Sequence, residues 1–215
     1  MIEFYERFDF PQYLKSKGIE GKILSFNQGT TIYNEGEKAR GLYFIQEGLV
    51  SLITLSEAGV ETLLRIFSPC TFMGHRSLLA DDTYHASAVT LKNSKILFLD
   101  IDEAKKVVFE DPELMRHFLH LLAKDLRRAE LRIKDSMSKR VSGRIIESLI
   151  FLKNRYPAHH WTRREIGEYC GAKTETVSRV LGDLERSKVI EKVGRDILIL
   201  DENAMLAMAQ ENSAD

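Results

Sequence analysis

The chain is poor in the residues and runs that would staple or anchor it. Only 2 of its 215 residues are cysteine, Cys70 and Cys170, and neither lies in a CxxC or Cys/His spacing. A disulfide framework, a zinc site or other metal centre, and an iron–sulfur cluster all lack their ligands, so both thiols are expected to be small core residues. No apolar stretch approaches the roughly 18 residues of a membrane span. The start, Met1-Ile2-Glu3-Phe4-Tyr5-Glu6, is acidic where a signal peptide is basic and then apolar, so a cytoplasmic protein without membrane contact is expected. Net charge is nearly absent as well, at −1.

What remains is an ordinary globular balance of 44% hydrophobic and 29% charged residues, with length for one to two domains. The charge is unevenly placed. Residues 1–138 hold 18 basic against 20 acidic side chains, residues 139–200 hold 13 against 8, and residues 201–215 hold 4 acidic and no basic ones. A basic segment of about 60 residues between acidic flanks is an electrostatic footprint for nucleic acid.

From Lys22 to Asp100 short apolar or β-branched runs alternate with glycine turns: 22–24, 30–33, 41–45, 49–53, 62–67, 86–90 and 95–99. Short strands at about ten-residue spacing predict an antiparallel barrel or sandwich, preceded by a short helical lead-in within the first twenty residues. After Asp100 the pattern turns helical, with no glycine before Gly143 and only Pro112 interrupting. Met115, Leu119, Leu122, Leu126, Ala129 and Ile133 then recur at alternating spacings of four and three, followed by Ser136. A stripe of two residues in seven is narrower than a helix buries against its own domain, and it points to a parallel, two-stranded homodimer coil rather than to a helix lying on the barrel.

A further helix runs through Val141–Leu152 to a loop at 156–160. Thr162-Arg163-Arg164-Glu165 is a capping box that opens a short helix ending at Gly171, and a second helix spans about 173–187. Two short helices around a glycine-containing turn inside a basic segment form a helix-turn-helix pattern. Val177, Val180, Leu181 and Leu184 form the buried stripe of the second helix, leaving Thr174, Glu175, Ser178 and Arg179 on the other face. An arginine can fork onto guanine O6 and N7, and a carboxylate can accept from cytosine N4. On any helix Glu175 and Arg179 could be a plain exposed ion pair. Arg163, Arg164 and Lys173 beside them favour a nucleic-acid role, as does Glu191–Leu200, which reads as a two-stranded wing with a basic tip at Arg195.

The residues Arg163-Arg164-Glu165-Ile166-Gly167, Gly171 and Glu175-Thr176-Val177-Ser178-Arg179-Val180-Leu181 resemble the winged helix-turn-helix of the Crp/Fnr superfamily of bacterial transcription regulators. Gly29–Glu37 and Leu42–Val50 are similar to the cyclic-nucleotide-binding-type β-roll of the same superfamily, and the resemblance runs from about residue 20 to residue 200. It implies an α+β chain in three parts: an antiparallel β-roll effector domain over 1–100, a dimerisation helix over 101–138, and a winged helix-turn-helix DNA-binding domain over 139–215. It also implies a homodimer on double-stranded DNA with RNA polymerase as a partner, and no catalytic residues. Matching Glu175 and Arg179 to the family's base-reading pair, Thr174 to the position of an arginine in the cyclic-AMP branch, and Ser178 to the serine of the oxygen-sensing branch implies inverted half-sites with a TGA core, nearer TTGA than TGTGA. Arg163, Lys173 and Arg195 are expected on phosphates.

The resemblance also carries departures. The cyclic-AMP branch has a Glu after the cassette glycine and an Arg-Ser pair about ten residues later; here His75 follows Gly74, and His85-Ala86 stands at the pair. The long helix has Ala129-Glu130 where that branch has Thr-Ser. Cyclic AMP is therefore not the expected effector, and the N-terminal cysteine cluster of the oxygen-sensing branch is missing. Gly74, His75, Arg76, His85 and Ala86, with Arg127, Arg128 or Glu130 approaching from the helix, could line a pocket for an organic anion or nucleotide. Alternatives are that no small ligand binds, or that His75 ligates haem in a gas sensor of the same fold. A cupin-type metalloenzyme is a reading from a different class, but it needs a His-x-His pair with a Glu and a further His, and residues 75–100 offer two histidines ten apart. A cyclic-nucleotide module serving a partner enzyme would leave the basic winged segment without purpose.

Overall fold

The structure, a computed structural model, describes residues 8–57 and 59–211, and the chain divides into two compact units at Leu126/Arg127. The first unit opens with helix α1 (Phe10–Ser16), capped by the Asp9 side chain, which accepts from Gln12 N. This is the expected helical lead-in; its residues 1–7 lie outside the described part.

Strands β1 (Lys22–Phe26), β2 (Thr31–Tyr33), β3 (Gly41–Glu47), β4 (Val50–Leu55) and β5 (Glu61–Phe67) follow. Then come β6 (Phe72–Met73), helix α2 (His75–Ala80), β7 (Ser87–Thr90) and β8 (Ser94–Asp100). They form two antiparallel sheets, β1-β8-β3-β6 and β2-β7-β4-β5. Between the sheets lies one core, with Tyr43, Ile45, Val50, Leu52, Phe67, Tyr84 and Ile96.

The other face of the first sheet is covered too. Helix α3 (Ile101–Glu110) and the start of helix α4 (Pro112–Ser138) bring Ala104, Val108, Leu114 and Phe118 against Leu42, Phe44, Leu97 and Leu99, with Phe10 of α1 completing the cluster. Successive strand residues point to opposite faces. With both faces covered, Gly41–Ile45 is buried without a break rather than in alternation.

On α4, Leu114, His117, Phe118 and Asp125 are buried, so one face packs on the β-roll. Along the expected dimer stripe, Met115 packs against the unit's own core and Leu122 is half-buried, whereas Leu119, Leu126 and Ile133 are 58%, 62% and 59% exposed and Ala129 is exposed. The exposed face extends beyond the stripe to Leu131 and Met137.

The second unit contains α5 (Val141–Arg155), α6 (Arg163–Cys170), α7 (Thr174–Arg186), a hairpin of β9 (Ile190–Val193) and β10 (Asp196–Ile199), and α8 (Glu202–Glu211). Ile145, Leu149, Leu152, Trp161, Ile166, Val177, Leu181 and Met205 are buried. Trp161 donates its indole N–H to Leu152 O at 3.1 Å, which ties the loop before α6 to the end of α5.

The cysteines depart from expectation. Cys70 is exposed in a turn at φ +66°, and Cys170 is only half-buried. The chain passes from β5 to β6 through a turn that holds Cys70 in the left-handed region and exposed.

Burial also sets histidine protonation. The His117 ring lies 4.8 Å from Phe8 and 5.8 Å from Phe72, between ring centroids. Burial, with the charges of His120, His75 and Lys124, pushes its pKa down to about 4. The unfolded chain accepts a proton near pH 6.5 that the folded protein refuses, so this contribution is complete above that pH and shrinks as the pH falls toward 4. Urea titrations between pH 7 and pH 4 should show stability falling across this window, with a smaller slope for His117→Gln. An unchanged slope in that variant would show that His117 is not held neutral.

Candidate nucleic-acid interface and ligand pocket

The turn between α6 and α7 is fixed by its termini. At the start of α6 the Thr162 hydroxyl accepts from Glu165 N at 3.1 Å while Glu165 Oε2 accepts from Thr162 N at 2.8 Å, which completes the capping box. His159 Nε2 lies 3.0 Å from Glu165 Oε1. Burial pushes the Glu165 pKa up, but His159 and the Thr162 donors outweigh it and hold the group ionised.

At the other end, Arg132 donates to Tyr169 O at 2.8 Å and lies over the Tyr169 ring, and Arg144 donates to Cys170 O. These guanidinium groups neutralise carbonyls at a helix C-terminus. Gly167 allows the tight crossing, because a Cβ there would sit 2.5 Å from Ala172 O.

Helix α7 buries Val177, Val180, Leu181 and Leu184, as its spacing predicts. Thr174, Glu175 and Arg179 are exposed on the opposite side, and Ser178 is half-buried beside them. Among the described residues no ion pair joins Glu175 to Arg179, so their charges stay available. Lys173 precedes the helix with its side chain exposed and uninvolved in capping, and Arg163 is exposed at the start of α6. Arg195 is exposed at the tip of the β9–β10 hairpin. Arg164 differs from its neighbours, pairing with Glu168 at 2.6 Å along its own helix.

In the first unit, Gly74, His75, Arg76, His85 and Ala86 line one cavity together with Tyr33, Leu52, Phe67, Ser77 and Tyr84. Gly74 takes φ +79° at the start of α2, and a Cβ there would lie 2.6 Å from Gly41 O. The cavity measures about 20 Å³, space for roughly one water molecule. Tyr33 and Tyr84 fill the rest with rings stacked at 3.8 Å, and the Tyr84 hydroxyl lies 3.5 Å from that of Tyr43. The residues present do not fit a haem: the proposed ligand His75 is 3% exposed and faces a space far smaller than the macrocycle. Arg127, Arg128 and Glu130 are exposed and belong to the second unit.

Asp125 is the helix residue that reaches this corner, a polar position outside any apolar spacing. Its Oδ2 accepts from Arg65 Nη1 of β5 and, at 3.1 Å, from Arg76 Nη2; His75 Nε2 lies 3.8 Å away. Burial pushes the Asp125 pKa up, but His75 and the guanidinium groups of Arg65 and Arg76 outweigh it and hold the group firmly ionised. Burial pushes the His75 pKa down, and neither ring nitrogen of His75 makes a hydrogen bond. A carboxylate eleven residues beyond Leu114, on the helix face that also carries Phe118, was the available signal.

Residues 23–111 match the cyclic nucleotide-binding domain family, and residues 143–208 match the Crp-like helix-turn-helix domain family. The chain belongs to the Crp/Fnr superfamily. Across 196 residues it is 29% identical to a CRP-like cAMP-activated global transcriptional regulator of Mycobacterium tuberculosis, covering 87% of this chain and 88% of that one. Over 181 residues it is 28% identical to the anaerobic regulatory protein of Bacillus subtilis, covering 79% and 76%. A CRP/FNR-family transcriptional regulator from Thermus thermophilus superposes with a TM-score of 0.75 at 25% identity, covering 89% of this chain and all of that one. These Crp/Fnr relatives are transcription regulators, which are not enzymes. The superfamily assignment accounts for the β-roll, the long helix and the helix-turn-helix together.

Proposed function

We propose that this Crp/Fnr protein is a cytoplasmic homodimeric regulator that binds inverted TGA-core half-sites of TTGA type, works with RNA polymerase, and does not use cyclic AMP. The observation that carries the reading is the division of α7: four apolar side chains fixed inward, and Thr174, Glu175, Ser178 and Arg179 turned outward at its N-terminal end.

Arg179 supplies the fork for guanine and Glu175 the acceptor for cytosine of the shared base pair. Thr174 is too short to fork onto the outer guanine of TGTGA, and Ser178 suits an outer thymine. Arg163, Lys173 and Arg195 flank this surface at positions suited to phosphates, where they add affinity and salt dependence without sequence preference. The Mycobacterium relative is named as cAMP-activated. Here the cassette carries His75 and His85-Ala86, and its cavity of about 20 Å³ is closed by tyrosines.

Dimerisation is supported by the solvent-facing run Leu119, Leu126, Ala129 and Ile133 on α4. Covering a leucine is worth about 1.5–3 kcal/mol, and a two-fold seam covers each one twice. Leu126→Asp should give monomers by light scattering and lose tight operator binding, because two half-sites are no longer engaged together. A dimer of undiminished affinity would rule out the seam.

Selection from random DNA should enrich paired TTGA-like elements; enrichment of TGTGA, or of no TGA element, would overturn the assignment. Arg179→Ala should cost about 1–3 kcal/mol per half-site and relax preference at the guanine, whereas Lys173→Ala should weaken all sequences alike.

A further inference from the structure

The cationic corner of the β-roll already holds an anion, and the chain supplies it. Arg65 and Arg76 arrive from β5 and α2 and converge on the same oxygen of Asp125, with the His75 ring behind them. The Asp125 and His75 side chains are each only 4% exposed. Two guanidinium groups on one carboxylate oxygen is the geometry that charged nitrogen donors offer to a bound carboxylate or phosphate. Neither arginine stands at the Arg-Ser position of the cyclic-AMP cassette, which here is His85-Ala86. The neighbouring cavity, which His75 and Arg76 also line, measures about 20 Å³ and has no room for a carboxylate or phosphate.

We propose that Arg65 and Arg76 form an oxyanion site of carboxylate or phosphate type, and that α4 fills it with Asp125 as a built-in substitute for an anionic effector. The long helix is thereby clamped to the β-roll without a small molecule. An oxyanion gains entry only by displacing Asp125. The consequence for DNA rests on the reading of the chain as a DNA-binding regulator; the anion site does not.

The test uses the full chain and three variants, Asp125→Ala, Asp125→Asn and Asp125→Ala with Arg65→Gln. Each is measured for thermal midpoint and operator affinity in sodium formate, in inorganic phosphate, and in sodium chloride of equal ionic strength. The wild type should be indifferent to which salt is present. Asp125→Ala, which removes the carboxylate that formate replaces, should melt lower and bind operator at least tenfold more weakly. Formate should restore at least half of the lost midpoint, with a saturating dose dependence, and should raise affinity at least threefold; the double variant should not respond. Asp125→Asn keeps the side-chain shape and loses the charge, so it should fold and still bind operator at least tenfold more weakly.

Wild-type affinity in Asp125→Asn would overturn the proposal, as would formate raising the wild-type and Asp125→Ala midpoints equally. Should the wild type bind no DNA at all, the regulator reading fails, and formate rescue of the Asp125→Ala midpoint still decides the anion site. If Asp125→Ala does not fold even in formate, the Asp125→Asn affinity decides.

Discussion

One helix has to satisfy two demands on different sides of a single cylinder, and much of the molecule follows from that. The buried face of α4, through Leu114, Phe118 and Asp125, completes the β-roll, while Leu119, Leu126 and Ile133 face solvent on another side. Consecutive helical residues point about 100° apart. Asp125 therefore turns into the cationic corner while Leu126, the next residue, turns outward. The anion clamp and the apolar stripe are one peptide apart, so a rotation of the helix about its axis alters both together.

The succession of short apolar runs and glycine turns was enough to place seven of the β-roll strands, including the three-residue β2 and the continuously buried β3. Strand β6 has two residues, and α2 has six and starts from a left-handed glycine without a side-chain cap; neither leaves a periodic trace. The winged unit was the more legible half. Its helix boundaries are written in short-range chemistry, the Thr162–Glu165 box and Gly171 at φ +69°, and α7 shows its buried stripe directly.

The cavity of the β-roll was legible only in its near-neighbour part. Gly74, His75, Arg76, His85 and Ala86 line one cavity, since a short stretch of chain carries them all. Tyr33 on its wall, and the Arg65–Asp125 pair beside Arg76, come from far along the sequence, and pairing across that distance leaves no periodic signal. Arg65 sits on a strand 60 positions from its partner. Asp125 also breaks the rule that a buried helix face is apolar, which is why a pattern search for hydrophobic residues passes it over. The burial is sustained because the partners are charged: a lone carboxylate in that position would be expelled or protonated.

The single tryptophan has a practical consequence. Trp161 is buried in the second unit, with its indole held by Leu152 O and its ring edge-on to His159 at 4.4 Å, whereas Tyr33, Tyr43 and Tyr84 are clustered in the first unit. Light absorbed at the red edge of the protein spectrum is taken up by the winged unit alone, and emission from it reports that unit's melting without contribution from the β-roll. Two compact units joined through one helix need not unfold in a single transition. The protein thus carries an optical label for the second unit without any dye or substitution.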